Sequence, residues 1–241
     1  CLKRSGDPAD RITRDFFAAF WACILGGITP VSVAVAPRYD AENSVVLKLV
    51  NTWRSLGCPC IVASETLMAP LSGVLGQMAR TKLLSVAKLR AYSPAQSMAQ
   101  VSSDETAFFQ LPSGSTGVPK CIQETHRGVI SHIRASRRFN GYQSSDVSLN
   151  WFAMDHVVPL LTYHLKDVYL GCQQIQAPLT SILEDPLTWL DLIDRHGVTH
   201  TWSPNFGYKL LSDARSSRAC ARNLKSMRHY ARYSRRRQSR V

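Results

Sequence analysis

No stretch of this 241-residue chain carries the ~18–20 uninterrupted apolar residues that a membrane-spanning helix needs. The longest candidate, Phe16 to Val35, is broken by Gly26, Gly27 and Pro30, and it predicts a helix, a turn and a strand instead. No secretory leader pattern is visible. Cysteine is sparse and scattered, with seven residues at 1, 23, 58, 60, 121, 172 and 220. Cys58-Pro-Cys60 has no second pair at zinc spacing, so neither a metal site nor a disulfide framework is expected. Free thiols in a reducing cytoplasm are the expectation.

Acid is the other scarcity. Seventeen Asp and Glu face 29 Lys and Arg, a net charge of +12. The imbalance is local: Ala214 to Val241 holds ten Lys/Arg and no acid, which leaves 19 basic and 17 acidic residues, or +2, elsewhere. The body is therefore near neutral. A basic end with Arg235-Arg-Arg237 suits an arm for nucleic acid or an anionic surface. No nucleic-acid-binding pattern accompanies it, and the hydrophobic patterning stops abruptly there. Residues 214–241 are accordingly expected to be a disordered or non-native tail, and residues 1–213 the folded body.

With 45% hydrophobic residues the chain can bury a substantial core, as one large or two small domains. The patterning predicts helices over 13–25, with Thr13 as N-cap, from Asp40 to about Leu56, and from Leu67 to Arg80. Further helices are expected over 127–139, 157–170 and 186–195, and after Pro204. Strands are expected at Ile28–Val35, Cys60–Ala63, Leu83–Val86, Thr106–Leu111, Lys120–Thr125, Ser148–Phe152 and Val198–Trp202, with residues 90–105 as a loop. Alternating helices and short apolar strands predict an α/β fold, layered β-sheets with flanking helices and a largely parallel sheet.

The most specific segment is Leu111-Pro-Ser-Gly-Ser-Thr-Gly-Val-Pro-Lys120, set between two predicted strands. Ser113, Ser115 and Thr116 offer hydroxyls, and such a loop can turn several backbone N–H groups toward a polyphosphate. Gly114 and Gly117 permit close approach, and Lys120 adds a compact positive charge. It is not a Walker loop, because Val118 and Pro119 separate Gly117 from Lys120 and no helix follows directly.

These residues resemble the phosphate-binding signature of acyl-adenylate-forming enzymes: acyl-CoA synthetases, fatty acyl-AMP ligases and peptide-synthetase adenylation domains. That signature is typically Thr-Ser-Gly-Thr/Ser-Thr-Gly-x-Pro-Lys-Gly. The chain departs from it at Pro112, where Thr is usual, and at Cys121, where Gly is usual; Pro112 removes a hydroxyl and an N–H. His126-Arg-Gly-Val-Ile130 is similar to the family segment that opens the helix behind the loop, where His126 would cap the helix or touch a phosphate. Trp151-Phe-Ala-Met-Asp-His156 resembles the Asp-His of fatty acyl-AMP ligase-like and polyketide-loading domains. The resemblance makes His156 a candidate for orienting the substrate carboxylate or gating its access. Thr199-His-Thr-Trp-Ser-Pro-Asn-Phe-Gly-Tyr208 resembles an Ala-Pro-Asn-Phe-Ala-Tyr segment, with Ser203 and Gly207 where Ala is common. It carries Asn205, Phe206 and Tyr208 over as acyl-pocket candidates.

The resemblance covers roughly residues 14–214 and implies a partial N-terminal domain of an adenylate-forming enzyme, closest to fatty acyl-AMP ligase-like or polyketide–nonribosomal peptide loading adenylation domains. It implies that Ser113, Gly114, Ser115, Thr116, Gly117 and Lys120 hold the pyrophosphate end of ATP with Mg²⁺. A small-molecule carboxylic acid would become an acyl-adenylate and pass to a thiol, that of CoA or of the phosphopantetheine on an acyl or peptidyl carrier protein. Amino-acid-activating members usually place an Asp in a Phe-Asp-x-x-Val context near this chain's Trp151. Here the only local acid is Asp155, which points to an acid without an α-amino group. The family's later Gly-x-Thr-Glu and Arg-Thr-Gly-Asp motifs and its lid lysine do not appear, and the chain begins at Cys1, so a cytoplasmic fragment is expected. A catalytically inactive remnant and a basic-tail nucleic-acid-binding protein are the alternatives.

Overall fold

The computed structural model describes residues 8–40, 43–76, 82–112, 120–215 and 222–233, which fall into two units. The first runs to Ser131 and also takes in Met154–His156; the second comprises His132–Ala153 and the chain from Val157 onward. The elements bear out the α/β expectation. No helix among the described residues is long and apolar enough to cross a membrane.

In the first unit, α1 spans Pro8–Leu25 among the described residues, so the chain is already helical before the predicted Thr13 cap. It ends at Gly26-Gly27, where Gly27 takes φ +68° and a Cβ would meet the Ala99 Cβ at 2.9 Å. The expected strand Ile28–Val35 reduces to one bridge, Val31 to Phe109. Pro30 has no N–H to extend the ladder, and its carbonyl instead accepts from Phe109 N at 2.9 Å. Helix α2 is Ser44–Ser55; its cap is Asn43, whose side chain accepts from Val45 N at 2.9 Å, rather than Asp40.

Strand β1 (Ile61–Ala63) pairs in parallel with β2 (Leu83–Ser85). Between them a 3₁₀ turn leads into α3, Met68–Leu75, which stops at Gly76, φ +70°. Residues 77–80 of the longer predicted helix lie outside the described residues. A short α4 (Val86–Leu89) is capped by Ser85. Leu49, Trp53, Leu71 and Leu75 form a core beneath β1 and β2. Strand β3 (Thr106–Gln110) pairs antiparallel with β4 (Ile122–Thr125), as the strand–loop–strand reading requires. Helix α5 (His126–Asn140) follows at once.

The second unit is built on a four-stranded parallel sheet in the order β6-β5-β7-β8. These strands are β5 (Val147–Asn150), β6 (Gln173–Gln176), β7 (His200–Pro204) and β8 (His229–Tyr233). The predicted helix 157–170 is in fact a π-helical stretch, Val158–Leu165, running into α6, Lys166–Leu170. Helices α7 (Leu179–Glu184) and α8 (Leu187–His196) connect β6 to β7, and α9 (Asn205–Arg215) follows β7. Leu149, Trp151, Ile182, Trp189, Ile193 and Val198 form the core. Trp189 Nε1 donates to Thr201 Oγ1 at 3.1 Å, and that hydroxyl donates to Leu149 O at 2.8 Å.

The basic segment from residue 214 was expected to be disordered or foreign. Among its described residues, Ala214 and Arg215 close α9 and His229–Tyr233 pair in parallel with all of β7. A buried carboxylate anchors this chain. Asp146, 1% exposed, accepts from Arg228 Nη1 at 2.9 Å and from Gln143 N at 2.8 Å. Burial by itself would raise its pKa. The Gln143 N–H, the Thr199 hydroxyl and the Arg228 charge outweigh burial and hold it below the usual carboxylate range. The stabilisation is therefore present above the unfolded carboxylate value near ~3.9 and is lost as pH falls through the lower folded value. Asp146→Asn should cost about 1.5–3 kcal/mol at pH 7, a hydrogen bond to a charged group being at stake. Urea unfolding from pH 7 to 2 should show wild type converging on the variant in acid; a gap independent of pH would remove the ionic basis.

Candidate functional site

Of the predicted phosphate-binding residues, Ser113, Gly114, Ser115, Thr116 and Gly117 lie outside the described residues. The flanks are described. Gln110 is in register with Ile122 across β3 and β4, so the two ends of the loop emerge side by side. Lys120 stands exposed just before β4. On the other flank, Lys48 of α2 donates through Nζ to Pro112 O at 2.9 Å.

His156 lies in the part of the chain that belongs to the first unit. Gln110, 4% exposed, donates through Nε2 to Leu111 O at 3.3 Å and to Asp155 O at 2.7 Å. The residues preceding the loop and the Asp155–His156 segment are thus joined directly. Burial holds the His156 imidazole below its ordinary pKa, although Asp155 opposes the shift. Burial raises the Asp155 carboxyl, partly countered by its own backbone N–H and by the His156 and Lys48 charges. Neither Gln110 nor Lys48 was among the sequence candidates. A Gln in a strand and a Lys on an amphipathic helix carry no local signature.

His126 does not cap α5. Gly128 N donates to Thr125 Oγ1 at 3.0 Å, so Thr125 is the cap, while His126 N donates to Glu105 O at 3.1 Å. His126 lines a cavity of about 200 Å³ with Gly27, Thr29, Glu105 and Thr106. Among the described residues no three His, Cys, Asp or Glu side chains converge to hold a metal ion.

In the second unit, Asn205, Phe206 and Tyr208 open α9 directly after β7. Asn205 and Phe206 are exposed, the latter with its ring edge-on to Trp151 (6.2 Å) and Phe152 (6.0 Å). Tyr208 packs partly buried on the core, 5.4 Å from the Trp189 ring. Trp151 is 1% exposed, and its Nε1 has no partner among the described residues.

The two departures in this segment belong together. A Cβ on Gly207 would overlap Ser203 Oγ and approach Trp151 Cζ2 to 2.9 Å. Ser203 Oγ donates to Pro204 O at 2.8 Å, so the hydroxyl occupies the space that a Cβ at 207 would need. Gly207→Ala should cost about 1–3 kcal/mol through overpacking. In a Ser203→Ala background the cost should fall by at least about 0.5 kcal/mol, since contacting residues couple. A urea double-mutant cycle reads this, and strict additivity would break the pairing.

Comparison with known proteins extends these observations. The AMP-binding enzyme family matches residues 15–235. Atromentin synthetase invA1 of Paxillus involutus is 31% identical over 197 residues, which are 80% of this chain and 20% of that protein. The structure of McyG A-PCP complexed with phenylalanyl-adenylate is 36% identical at a TM-score of 0.85, over 90% of this chain and 35% of that one. The adenylation domain of a keto acid-selecting NRPS module bound to keto acyl adenylate is 31% identical at 0.83, over 92% and 41%. The chain spans about a fifth of the length of the curated relatives it matches. With its phosphate-loop signature between paired strands and its match over residues 15–235, the chain belongs to the AMP-binding, adenylate-forming enzyme family, as the N-terminal part of an adenylation domain of the nonribosomal peptide synthetase type.

Proposed function

We propose that this domain activates a small carboxylic acid lacking an α-ammonium group as its acyl-adenylate. The observation that carries the reading is the antiparallel β3–β4 pair, which delivers both ends of a Gly/Ser/Thr loop and Lys120 to one place, with the His156 segment hydrogen-bonded to the preceding strand. A substrate carboxylate oxygen attacks the α-phosphorus of ATP, the bond to the bridging oxygen breaks, and pyrophosphate leaves. Loop N–H groups, the hydroxyls of Ser113, Ser115 and Thr116, and Lys120 hold the departing pyrophosphate, so catalysis is positioning and electrostatic stabilisation. A neutral His156 presents the substrate carboxylate with a hydrogen bond instead of a competing charge. The family segment that Asn205, Phe206 and Tyr208 resemble assigns them the acyl group. A thiol of CoA or of a carrier protein's phosphopantetheine then attacks the acyl carbonyl and releases AMP. Mg²⁺ accompanying ATP would supply further neutralisation of the phosphate charge.

The choice of acid follows from an absence. A buried ammonium needs an anionic partner. The residue after Phe152 is Ala153, where amino-acid-activating members usually place an Asp, and the one local acid is Asp155, whose backbone carbonyl Gln110 holds. One of the structures matched above carries an aminoacyl-adenylate and another a keto acyl adenylate. The two ligands differ in the ammonium group, and the position after Phe152 holds Ala153 rather than an acid.

Carboxylate-dependent ATP–pyrophosphate exchange, measured on the 241-residue chain and on the longest product of its gene, tests the reading across fatty, aryl, α-keto and α-amino acids. Exchange with an α-keto or other non-amino acid, at least about tenfold above the matching amino acid, is expected; exchange with amino acids alone defeats the substrate assignment. No exchange from a folded long product supports an inactive domain. Lys120→Ala should lower kcat/KM for ATP by about tenfold or more, as loss of a charge-assisted contact implies, and unchanged kinetics would strip Lys120 of its role. His156→Ala should raise KM for the acid more than KM for ATP. An effect confined to thermal stability would leave His156 a packing residue.

A further inference from the structure

Gln110 is a buried amide at the C-terminal end of β3. Its two amide hydrogens fork, one to Leu111 O at 3.3 Å and one to Asp155 O at 2.7 Å. Its Oε1 is buried with no partner among the described residues. An orphaned buried acceptor is costly, and native structures carry few of them without a functional reason. A strand-end position this deeply buried is served more cheaply by an apolar side chain. What the amide achieves instead is a join across 45 residues of sequence. On one side is the residue that leads into the phosphate loop; on the other is the carbonyl immediately before His156.

The second donor nearby divides the labour. Lys48 Nζ donates to Pro112 O at 2.9 Å. Its charge also lowers the Asp155 pKa, so it lies within electrostatic reach of that carboxyl. Its hydrogen bond goes to Pro112, on the loop side. Lys48 thus fixes the start of the loop, and Gln110 fixes the start of the loop and the histidine segment together.

We infer that Gln110 is a positioning residue that couples the nucleotide side of the site to the carboxylate side, so that Leu111, at the end of β3, and the Asp155–His156 segment hold their mutual register through one carboxamide. The inference rests on the adenylation reading above for its kinetic consequence, but its structural content is independent of that reading. Gln110 touches neither substrate. It acts through Leu111 and Asp155.

Gln110→Met keeps the length of the side chain and removes both donors. In the longest gene product, exchange kinetics should show kcat/KM falling about tenfold for ATP and for the acid alike, the size expected for one hydrogen bond of ~1.4 kcal/mol. Lys48→Met should depress the ATP value and spare the acid. In the 241-residue chain, amide hydrogen exchange at residues 154–157 should quicken about tenfold or more in Gln110→Met and stay unchanged in Lys48→Met. Unaltered protection at 154–157, or a kinetic loss confined to ATP, overturns the coupling. Should the variant not fold, the wild-type chain decides by NMR. Solvent-protected Gln110 Nε2 protons with cross-relaxation to the His156 amide proton support the join, and their absence removes it. If the wild type exchanges with no acid, the adenylation reading fails, while hydrogen exchange still judges the join separately.

Discussion

The carboxamide of Asn150 governs how the second unit is put together. It is 1% exposed at the end of β5, the strand flanked by β6 and β7. Nδ2 donates to Phe152 O at 2.8 Å and to Gln176 Oε1 at 2.9 Å, and Oδ1 accepts from Trp202 Nε1 at 3.0 Å. One side chain thereby satisfies the turn that leaves β5, the end of β6 and the middle of β7. A buried amide costs free energy unless each of its groups finds a partner, so the satisfied geometry is restrictive. The turn at 151–153 cannot slip without orphaning several groups at once. Trp151 and Phe152, the aromatic wall beside Phe206, take their direction from it.

A harder electrostatic demand lies at the other end of the same sheet. Lys166 and Asp167 are 1% and 0% exposed, and Lys166 Nζ lies 2.8 Å from Asp167 Oδ1 and 2.6 Å from His200 Nε2. An ammonium only donates, so His200 Nε2 accepts. Ser148 donates to Asp167 Oδ2, and the Tyr142 ring lies 3.9 Å from the ammonium. Buried ion pairs are weak sources of net stability, but removing one partner strands the other. The network therefore fixes α6 against β5 and β7 more by what its loss would cost than by what its presence adds. Two residues after Ser148 the chain reaches Asn150, so polar constraints bound this short strand along its length.

The sequence was most legible where periodicity and turn chemistry agreed. Helix α5, strands β3 and β4, and the Gly-terminated helices α1 and α8 stand close to their predicted positions because apolar spacing and stop signals coincide there. Strand β6 escaped notice because Gln173-Gln-Ile-Gln176 has one apolar residue; its pairing comes from the backbone ladder and from amide contacts such as Gln174 with His164. Strand β8 escaped because its neighbourhood is basic, and the partner that makes it acceptable, Asp146, lies 82 residues away. The phosphate-loop expectation came from the ordered Ser-Gly-Ser-Thr-Gly-Val-Pro-Lys pattern and the family it resembles, and Ser113–Gly117 lie outside the described residues. Gln110 and Lys48 were not legible, since their significance lies in carbonyls that only the fold brings to them.

The chain's departures from its family pattern then become intelligible as local solutions. Pro112 lacks an N–H, but it sits beyond the last ladder residue of β3, so no strand hydrogen bond is forfeited. Its carbonyl, which proline retains, is the group Lys48 engages. The fixed φ of proline also narrows the conformations open to the chain as it enters the loop. Ser203 and Gly207 form a second such pair, one supplying a hydroxyl and the other giving up a Cβ so that α9 can start against Trp151. In both places the substitution changes side-chain chemistry while the backbone path is held by a named donor or by a vacated volume. Each departure is thus compatible with an intact frame for the proposed chemistry, and the question of activity turns on what the loop's own N–H groups can offer a pyrophosphate when position 112 contributes none.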